Sequence, residues 1–205
     1  LRTPVAICLA HVQRLKTTME DPKGAETAAS IEQGLKRLGS LIERLLQLSR
    51  AQSGLGTNAE KTDLNAVTKL LLDELKNRLP TYCTAEIHEP EGIYESNIDS
   101  DAFGIILNNL FNNAVKYCDG TAGMIIDASR SGEISISNDC EPLSDDDLAY
   151  VAERFVRKSN LADGYGLGLS IVQSLCEQTG VTLTIKSPMA GSQRGFTATL
   201  TLPKE

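Results

Sequence analysis

The chain of 205 residues lacks tryptophan and has only five tyrosines and four phenylalanines. It therefore offers little of the stacked aromatic surface with which proteins hold single-stranded nucleic acid. It also lacks runs of lysine or arginine, and its formal net charge of −7 argues against a basic footprint for nucleic acid or anionic lipid. No stretch reaches the ~18 consecutive apolar residues of a membrane span. The composition is that of a globular protein.

The cysteines are odd in number, scattered, and include no Cys-x-x-Cys pair: Cys8, Cys83, Cys118, Cys140 and Cys176. This pattern predicts neither a disulfide framework nor a zinc site, and it favours a reducing compartment. The opening residues 1–4 lack the basic and apolar regions of a signal peptide. Because the chain begins without Met, we expect a segment of a longer protein.

Residues 1–54 predict two helices joined by a polar turn at residues 20–24. Apolar residues recur at steps of three and four in each helix: Val5, Cys8, Val12 and Leu15, then Ile31, Leu35, Leu38, Ile42, Leu45 and Leu48. A lone hairpin cannot bury such stripes, whereas two hairpins together form a four-helix bundle. We therefore expect a homodimer through the helical hairpin.

A break rich in glycine and polar residues, 53–58, predicts a linker over residues 55–62 and a second domain over 63–205. Asp63 or Asn65 is expected to cap a helix through Val67, Leu70, Leu71 and Leu75, which ends at Pro80, and Asp99 or Ser100 is expected to cap the helix after it. Further helices are predicted over 148–155 and 169–179, and strands over 83–88, 93–94, 124–128, 134–137, 181–187 and 196–202. This order predicts an α+β sandwich with a mostly antiparallel sheet.

Asn109, Asn113 and Lys116 fall at positions i, i+4 and i+7 of a predicted helix and so share one face. Two amide oxygens suit Mg²⁺ and an ammonium suits phosphate. The glycine run at residues 164–168 opens a second helix, whose free N–H groups form an anion site. Together these features predict a nucleotide pocket that takes ATP.

Four motifs in order resemble those of the bacterial sensor histidine kinases of two-component systems. They are the end of the H-box at Leu1–Pro4, the N-box at Asn109–Tyr117, the F-box at Glu153–Arg157 and the second glycine box at Gly164–Leu169. The resemblance implies a dimerisation and histidine-phosphotransfer hairpin, followed by an ATP-binding domain of the GHKL type with a Bergerat-type α/β sandwich.

The resemblance also implies roles for individual residues. Asn113 would coordinate Mg²⁺ with support from Asn109, Lys116 would contact phosphate, and Tyr117 would lie near the nucleoside. The second glycine box would contact the nucleotide through Gly164, Gly166, Gly168 and Leu169. Arg154 or Arg157 would stabilise the transferring phosphoryl group, and Thr3 would orient water in a phosphatase reaction.

By the same resemblance the chain would be the catalytic part of an inner-membrane sensor, located in the cytoplasm, with no direct membrane or nucleic-acid contact. It would transfer the γ-phosphoryl group of Mg-ATP to a histidine, and from there to an aspartate in the receiver domain of a response regulator. The acceptor histidine is expected two residues before Leu1, so this chain would not phosphorylate itself at the usual site. His11 and His88 are interpreted as structural residues.

The first glycine box departs from the family pattern Asp-x-Gly-x-Gly. The register gives Asn138-Asp139-Cys140-Glu141-Pro142, so Cys140 and Pro142 replace both glycines. Asn138 would then meet the adenine amino group, while a shifted register would give this contact to Asp139. Because Cys and Pro restrict the backbone, we expect weaker nucleotide binding.

Two other functions stay open. A pseudokinase or signalling scaffold would have lost ATP use through this altered box. A GHKL ATPase would transfer phosphate to water, but it needs an acidic general base where this chain has Asn109.

Overall fold

The computed structural model describes residues 2–18, 21–52, 57–118, 123–144 and 168–204. The chain forms two compact units, Leu1–Ser49 and Arg50–Glu205. The first contains helices α1 (Arg2–Thr18) and α2 (Pro22–Gln52). Within the described ranges, no helix is long and apolar enough to cross a lipid bilayer.

An ion pair between Lys16 and Glu32 joins the two helices of the hairpin, which leaves apolar surface exposed. The carboxylate of Glu32 accepts from Lys16 at 3.1 Å and from Lys36 at 2.7 Å. Three apolar side chains of the predicted stripes, Leu15, Ile31 and Leu38, remain about half exposed in the single chain, as does Ile7 beside them. A second hairpin stays the predicted partner for this surface.

Among the described residues, the second unit contains seven strands and three helices besides the end of α2. In chain order they are β1 (Thr57–Asp63), α3 (Leu64–Arg78), β2 (Ala85–His88), β3 (Glu95–Ile98), α4 (Ser100–Tyr117), β4 (Met124–Asp127), β5 (Glu133–Asn138), α5 (Gly168–Thr179), β6 (Thr182–Lys186) and β7 (Phe196–Thr201). The main sheet has the order β2-β4-β5-β7-β6, in which only β2 and β4 are parallel. The predicted α+β sandwich with a mostly antiparallel sheet is confirmed.

The core lies between one face of this sheet and the helices. Along β5 every second residue is buried, which places Ile134, Ile136 and Asn138 on the covered face. Helix α4 packs against β5, α3 and α5, and it buries Phe111, Leu107 and Ala114. Asn112, on another side of the helix, is exposed. The burial pattern of α4 therefore leaves its polar residues on a separate face.

Two local elements differ from the sequence-based expectation. Residues 57–63 form β1, which pairs with β3 in a separate two-stranded sheet; its sequence lacks the apolar alternation that signals a strand. The short strand predicted at residues 93–94 begins instead at Glu95 and pairs with β1. The helix predicted through Leu70 is present, and Leu70 itself is 62% exposed, because the buried stripe of α3 passes through Leu71, Leu72 and Leu75. The domain limits and the linker stay predictions.

Hydrogen bonds show which of the two candidate residues caps each of the helices α3 and α4. Asp63 caps α3 by accepting from the Asn65 backbone N–H at 3.0 Å, while the Asn65 side chain donates to the carbonyl of Glu91 at 3.0 Å. Asp99 caps α4 by accepting from the Ala102 N–H at 2.9 Å. Helices α3 and α4 therefore each begin one residue after the aspartate that caps them.

Candidate functional site

The polar face of α4 carries the candidate metal ligands. Asn109, Asn113 and Lys116 are all partly buried on this face. The side-chain nitrogen of Asn109 donates to the Ile105 carbonyl, one turn earlier, at 2.8 Å. Because that bond occupies the amide nitrogen, the Asn109 oxygen is the atom left to accept or to bind a cation.

Helix α5 begins directly against these amides. Gly168, its first residue, is buried. A methyl group in place of its α-hydrogen would lie 3.3 Å from Asn113 Oδ1, 3.4 Å from Asn113 Nδ2 and 3.5 Å from Asn109 Oδ1. Two amide oxygens thus flank one point at the N-terminus of a helix, where backbone N–H groups are free to bind an anion. Leu169 follows in the first turn and is partly buried.

Lys116 and Tyr117 form a pair at the end of α4. The Lys116 ammonium donates to the Tyr117 hydroxyl at 3.2 Å and lies 4.7 Å from the centre of its ring. Tyr117 is 46% exposed. An ammonium held by a phenol and a ring face is free to exchange these weak contacts for a phosphate.

At the end of β5, Asn138 presents an unsatisfied amide. The residue is 2% exposed, and its Nδ2 has no hydrogen-bond partner within the described part of the chain. A buried amide nitrogen without a partner costs about 1–3 kcal/mol, so this atom is suited to a ligand. Because Asn138 continues the buried alternation of β5, its side chain faces the same layer as α4.

Asp139, the alternative contact in the shifted register, is engaged elsewhere. Its Oδ1 accepts from Arg194 Nε at 3.1 Å. Glu141 accepts a hydrogen bond from the same guanidinium at 2.5 Å. Both carboxylates raise the pKa of Arg194, and the hydrogen bond to Asp139 has the larger effect. The observed pairing therefore favours Asn138 as the residue available to a base.

The segment with the replaced glycines is held by backbone and hydroxyl contacts. The Gly195 N–H donates to the Cys140 carbonyl at 2.8 Å. Ser187 Oγ accepts from the Leu143 N–H at 2.9 Å and donates to the Gly195 carbonyl at 2.7 Å. The loop between β6 and β7 thus fixes the segment after β5, a relationship that no sequence motif signalled.

Several predicted residues cannot be placed in this site. Arg154, Arg157, Gly164, Gly166, the F-box, the helix predicted over 148–155 and most of the second glycine box lie outside the described residues. Thr3 is exposed and belongs to the hairpin unit. His11 is exposed on α1, and His88 Nε2 lies 3.1 Å from Glu86 Oε1 on β2.

The described residues fit a magnesium nucleotide. Neutral amide oxygens are ligands that Mg²⁺ accepts beside phosphates and water, and the oxygens of Asn109 and Asn113 lie together at the start of α5. The orphaned Asn138 amide supplies a hydrogen-bonding group for a base. The described residues include no group of three or more His, Cys, Asp or Glu side chains that could hold a metal ion.

Comparison with known families agrees with this geometry. Residues 98–205 match the family described as histidine kinase-, DNA gyrase B-, and HSP90-like ATPase. Residues 1–54 match the His Kinase A (phospho-acceptor) domain. The first match covers α4 and all the site residues described above.

Relatives with both regions are similar along the whole chain. The chain is 29% identical to the sensor protein KdpD of Escherichia coli over 100% of its own length and 23% of that protein. It is 27% identical to the sensor protein CzcS of Cupriavidus metallidurans over 95% of its length and 42% of that protein. The chain therefore spans less than half of these relatives.

Solved structures share the fold. Full-length ShkA in complex with AMPPNP superposes with a TM-score of 0.73 at 21% identity, over 98% of this chain and 43% of that one. The histidine kinase AdeS of Acinetobacter baumannii superposes with a TM-score of 0.61 at 20% identity, over 99% and 97% of the two chains. The two family matches and the similarity to the sensor proteins show that the chain belongs to the histidine kinase-, DNA gyrase B- and HSP90-like ATPase family, as a sensor histidine kinase of two-component systems.

Proposed function

We propose that this chain binds Mg-ATP in its second unit and transfers the γ-phosphoryl group to a histidine of the dimeric hairpin. The observation that carries the proposal is the contact between Gly168 and the amides of Asn109 and Asn113. It brings two candidate metal ligands to the N-terminus of a helix, where a triphosphate would lie. The complex of ShkA with AMPPNP supports the choice of an adenine nucleotide.

The transfer itself needs positioning and charge neutralisation more than covalent chemistry from the protein. The bond between the γ-phosphorus and the β,γ-bridging oxygen breaks, and a bond from the imidazole nitrogen to phosphorus forms. ADP leaves with the bridging oxygen, and the imidazole proton passes to solvent. In a second step the nitrogen–phosphorus bond breaks as an aspartate oxygen of a response regulator attacks.

The residues of the site divide these tasks. Asn113 and Asn109 would hold Mg²⁺, which neutralises charge on the phosphates when bound. Lys116 would leave Tyr117 to meet a phosphate, and Tyr117 would remain beside the nucleoside. Asn138 would bind the base through its buried amide. Arg154 or Arg157 would stabilise the transferring group.

The hairpin would provide dimerisation, the phosphotransfer site and the surface for the response regulator. Its exposed apolar stripes support dimerisation, since they have no partner within the described hairpin. Thr3 would orient the attacking water in a phosphatase reaction. The domain order implies a fragment on the cytoplasmic side of an inner-membrane sensor.

The first test is a calorimetric titration with a non-hydrolysable ATP analogue, with and without Mg²⁺. Saturable binding that requires Mg²⁺ supports a working nucleotide site. Absence of binding at millimolar nucleotide would favour the pseudokinase, and a micromolar or tighter dissociation constant would contradict the expected effect of Cys140 and Pro142.

The second test concerns the acceptor. A chain extended by His-Glu ahead of Leu1 should incorporate label from γ-labelled ATP in an acid-labile form, whereas the unextended chain should not. Labelling of His11 in the unextended chain would contradict the proposed acceptor. Transfer of the label to a receiver domain would then test the second step.

A further inference from the structure

Arg194 connects the loop between β6 and β7 to the segment that follows β5. Its guanidinium donates from Nε to Asp139 and from Nη1 to Glu141. The Asp139 side chain is 7% exposed and the Glu141 side chain is 85% exposed. A buried carboxylate needs a partner to keep its charge, whereas an exposed ion pair is screened by water. The contact with Asp139 is therefore the one that constrains the structure.

Other residues between β6 and β7 also form hydrogen bonds with the segment that follows β5. Gly195, next to Arg194, donates its N–H to the Cys140 carbonyl, and Ser187 bonds both Leu143 and Gly195. The Asp139 N–H also donates to the Gly123 carbonyl at 3.1 Å. Residues 139–143 are thus held on one side by the loop that carries Arg194, at the place where the family resemblance predicts flexible glycines.

This arrangement has a direct consequence for Asn138. Asn138 is the last residue of β5 and Asp139 follows it directly, so the position of the Asp139 side chain affects the surroundings of the neighbouring amide. Asp139 is drawn to the loop, and Asn138 stays on the covered face with its Nδ2 unpaired among the described residues. Without Arg194, the charged Asp139 would lose its partner and would have to move toward water.

We propose that Arg194 is a positioning residue for recognition of the base. It holds the Asp139 carboxylate away from the pocket and so leaves the Asn138 Nδ2, a donor that has no partner among the described residues, to donate to an acceptor nitrogen of the purine ring. The proposal rests on the nucleotide binding proposed above. It assigns a function in binding to a residue of the β6–β7 loop, which lies far from every motif of the sequence.

The test measures the affinity of Arg194→Gln for two ligands. One is a non-hydrolysable ATP analogue, and the other is inorganic tripolyphosphate, which has no base; both are titrated in the presence of Mg²⁺. We expect the variant to bind the ATP analogue about ten-fold more weakly, the size of one hydrogen bond. The affinity for tripolyphosphate should change by less than about two-fold, because that ligand has no base to position.

Arg130→Gln is the matched control. Arg130 also forms an ion pair with a carboxylate, that of Glu133 at 3.4 Å, but its side chain is 77% exposed and it lies at the opposite end of β5. The control removes the same charge and should leave both affinities unchanged. Arg194→Lys serves as a second variant if the glutamine variant does not fold, and it should show a smaller loss for the ATP analogue alone.

The outcomes separate the two proposals. Equal losses for both ligands would make Arg194 a structural residue only and would overturn the inference. Unchanged affinities in a folded variant would overturn it too, with the proposed function intact. If the unsubstituted chain binds neither ligand, the proposed function fails and the inference fails with it.

Discussion

Gly168 faces Asn113 so closely that a methyl group on its α-carbon would lie 3.3 Å from the amide oxygen. The α-carbon of Gly168 therefore packs against the polar face of α4 with room for a hydrogen atom but not for a methyl group. This contact joins two segments that lie 55 residues apart in the sequence. Because of this contact, we expect even one added methyl group at Gly168 to disturb the site, although both amide side chains would remain.

Gly168→Ala should weaken nucleotide binding while the domain stays folded. The added methyl group forces the amide of Asn113 to shift by a few tenths of an ångström, whereas alanine is tolerated by a helix better than glycine. We expect an affinity about ten-fold lower and a free energy of unfolding within about 1 kcal/mol of the original. Calorimetry and urea denaturation measure the two quantities.

Gly104→Ala is the control for this variant. Gly104 lies in α4, and a methyl group there would meet Leu71 Cδ1 at an ordinary 3.9 Å. It should bind nucleotide as before. A Gly168→Ala variant of unchanged affinity would show that the amides have room to move, and it would remove the contact from the mechanism.

Asn113→Asp should reduce Mg-nucleotide binding about ten-fold or more. The new carboxylate would face a triphosphate at a partly buried position, where repulsion between like charges is only weakly screened. Asn112→Asp introduces the same charge one residue earlier on an exposed part of α4. If both variants bound equally well, Asn113 would have no part in holding the metal or the phosphates.

Lys116→Gln should weaken the binding of ligands that carry phosphates and should leave the binding of adenosine unchanged. Within the described residues its ammonium contacts the side chain of Tyr117, and it should release the ring to bind a phosphate. We expect about a ten-fold loss of affinity for the ATP analogue and little change for adenosine. Lys69→Gln, on the exposed side of α3, is the control, and an equal loss for adenosine would argue against a phosphate contact.

The hairpin should lose stability in acid through Glu32. Hydrogen bonds from Lys36 and then Lys16 lower the pKa of Glu32 from 4.5 to about 2. A carboxyl group whose pKa is lower in the folded state stabilises the fold above its unfolded pKa, and this contribution is lost as the pH falls from about 4.5 toward 2. Hydrogen-exchange protection of the α1 amides should therefore decrease across this range.

Glu32→Gln should remove much of that pH dependence. Glu26→Gln, an exposed position on the same helix, should retain it. Equal pH profiles for the original chain and Glu32→Gln would show that the two lysine contacts do not stabilise the hairpin.

Much of the fold could be predicted because its signals are local. The period of apolar residues predicted the helices, and alternation predicted the strands β4 and β5, which pair across a turn where Gly132 has a φ of +75°. The strand β1 and its pairing with β3 were missed, since a polar strand held by a distant partner carries no periodic signal. The sequence did not decide which side of α3 is buried, because three adjacent leucines, Leu70 to Leu72, allow more than one stripe.

The sequence by itself determined the helical hairpin, the α+β class and the set of polar residues on α4, since a helix of given period places i, i+4 and i+7 on one face in any fold. Tertiary structure alone decided that Gly168 meets Asn109 and Asn113, and that Asp139 binds Arg194 and leaves Asn138 unpaired. These pairs are far apart in the chain, and their contact depends on the order of strands in the sheet. Such order follows from the packing of the whole domain, which no local pattern encodes.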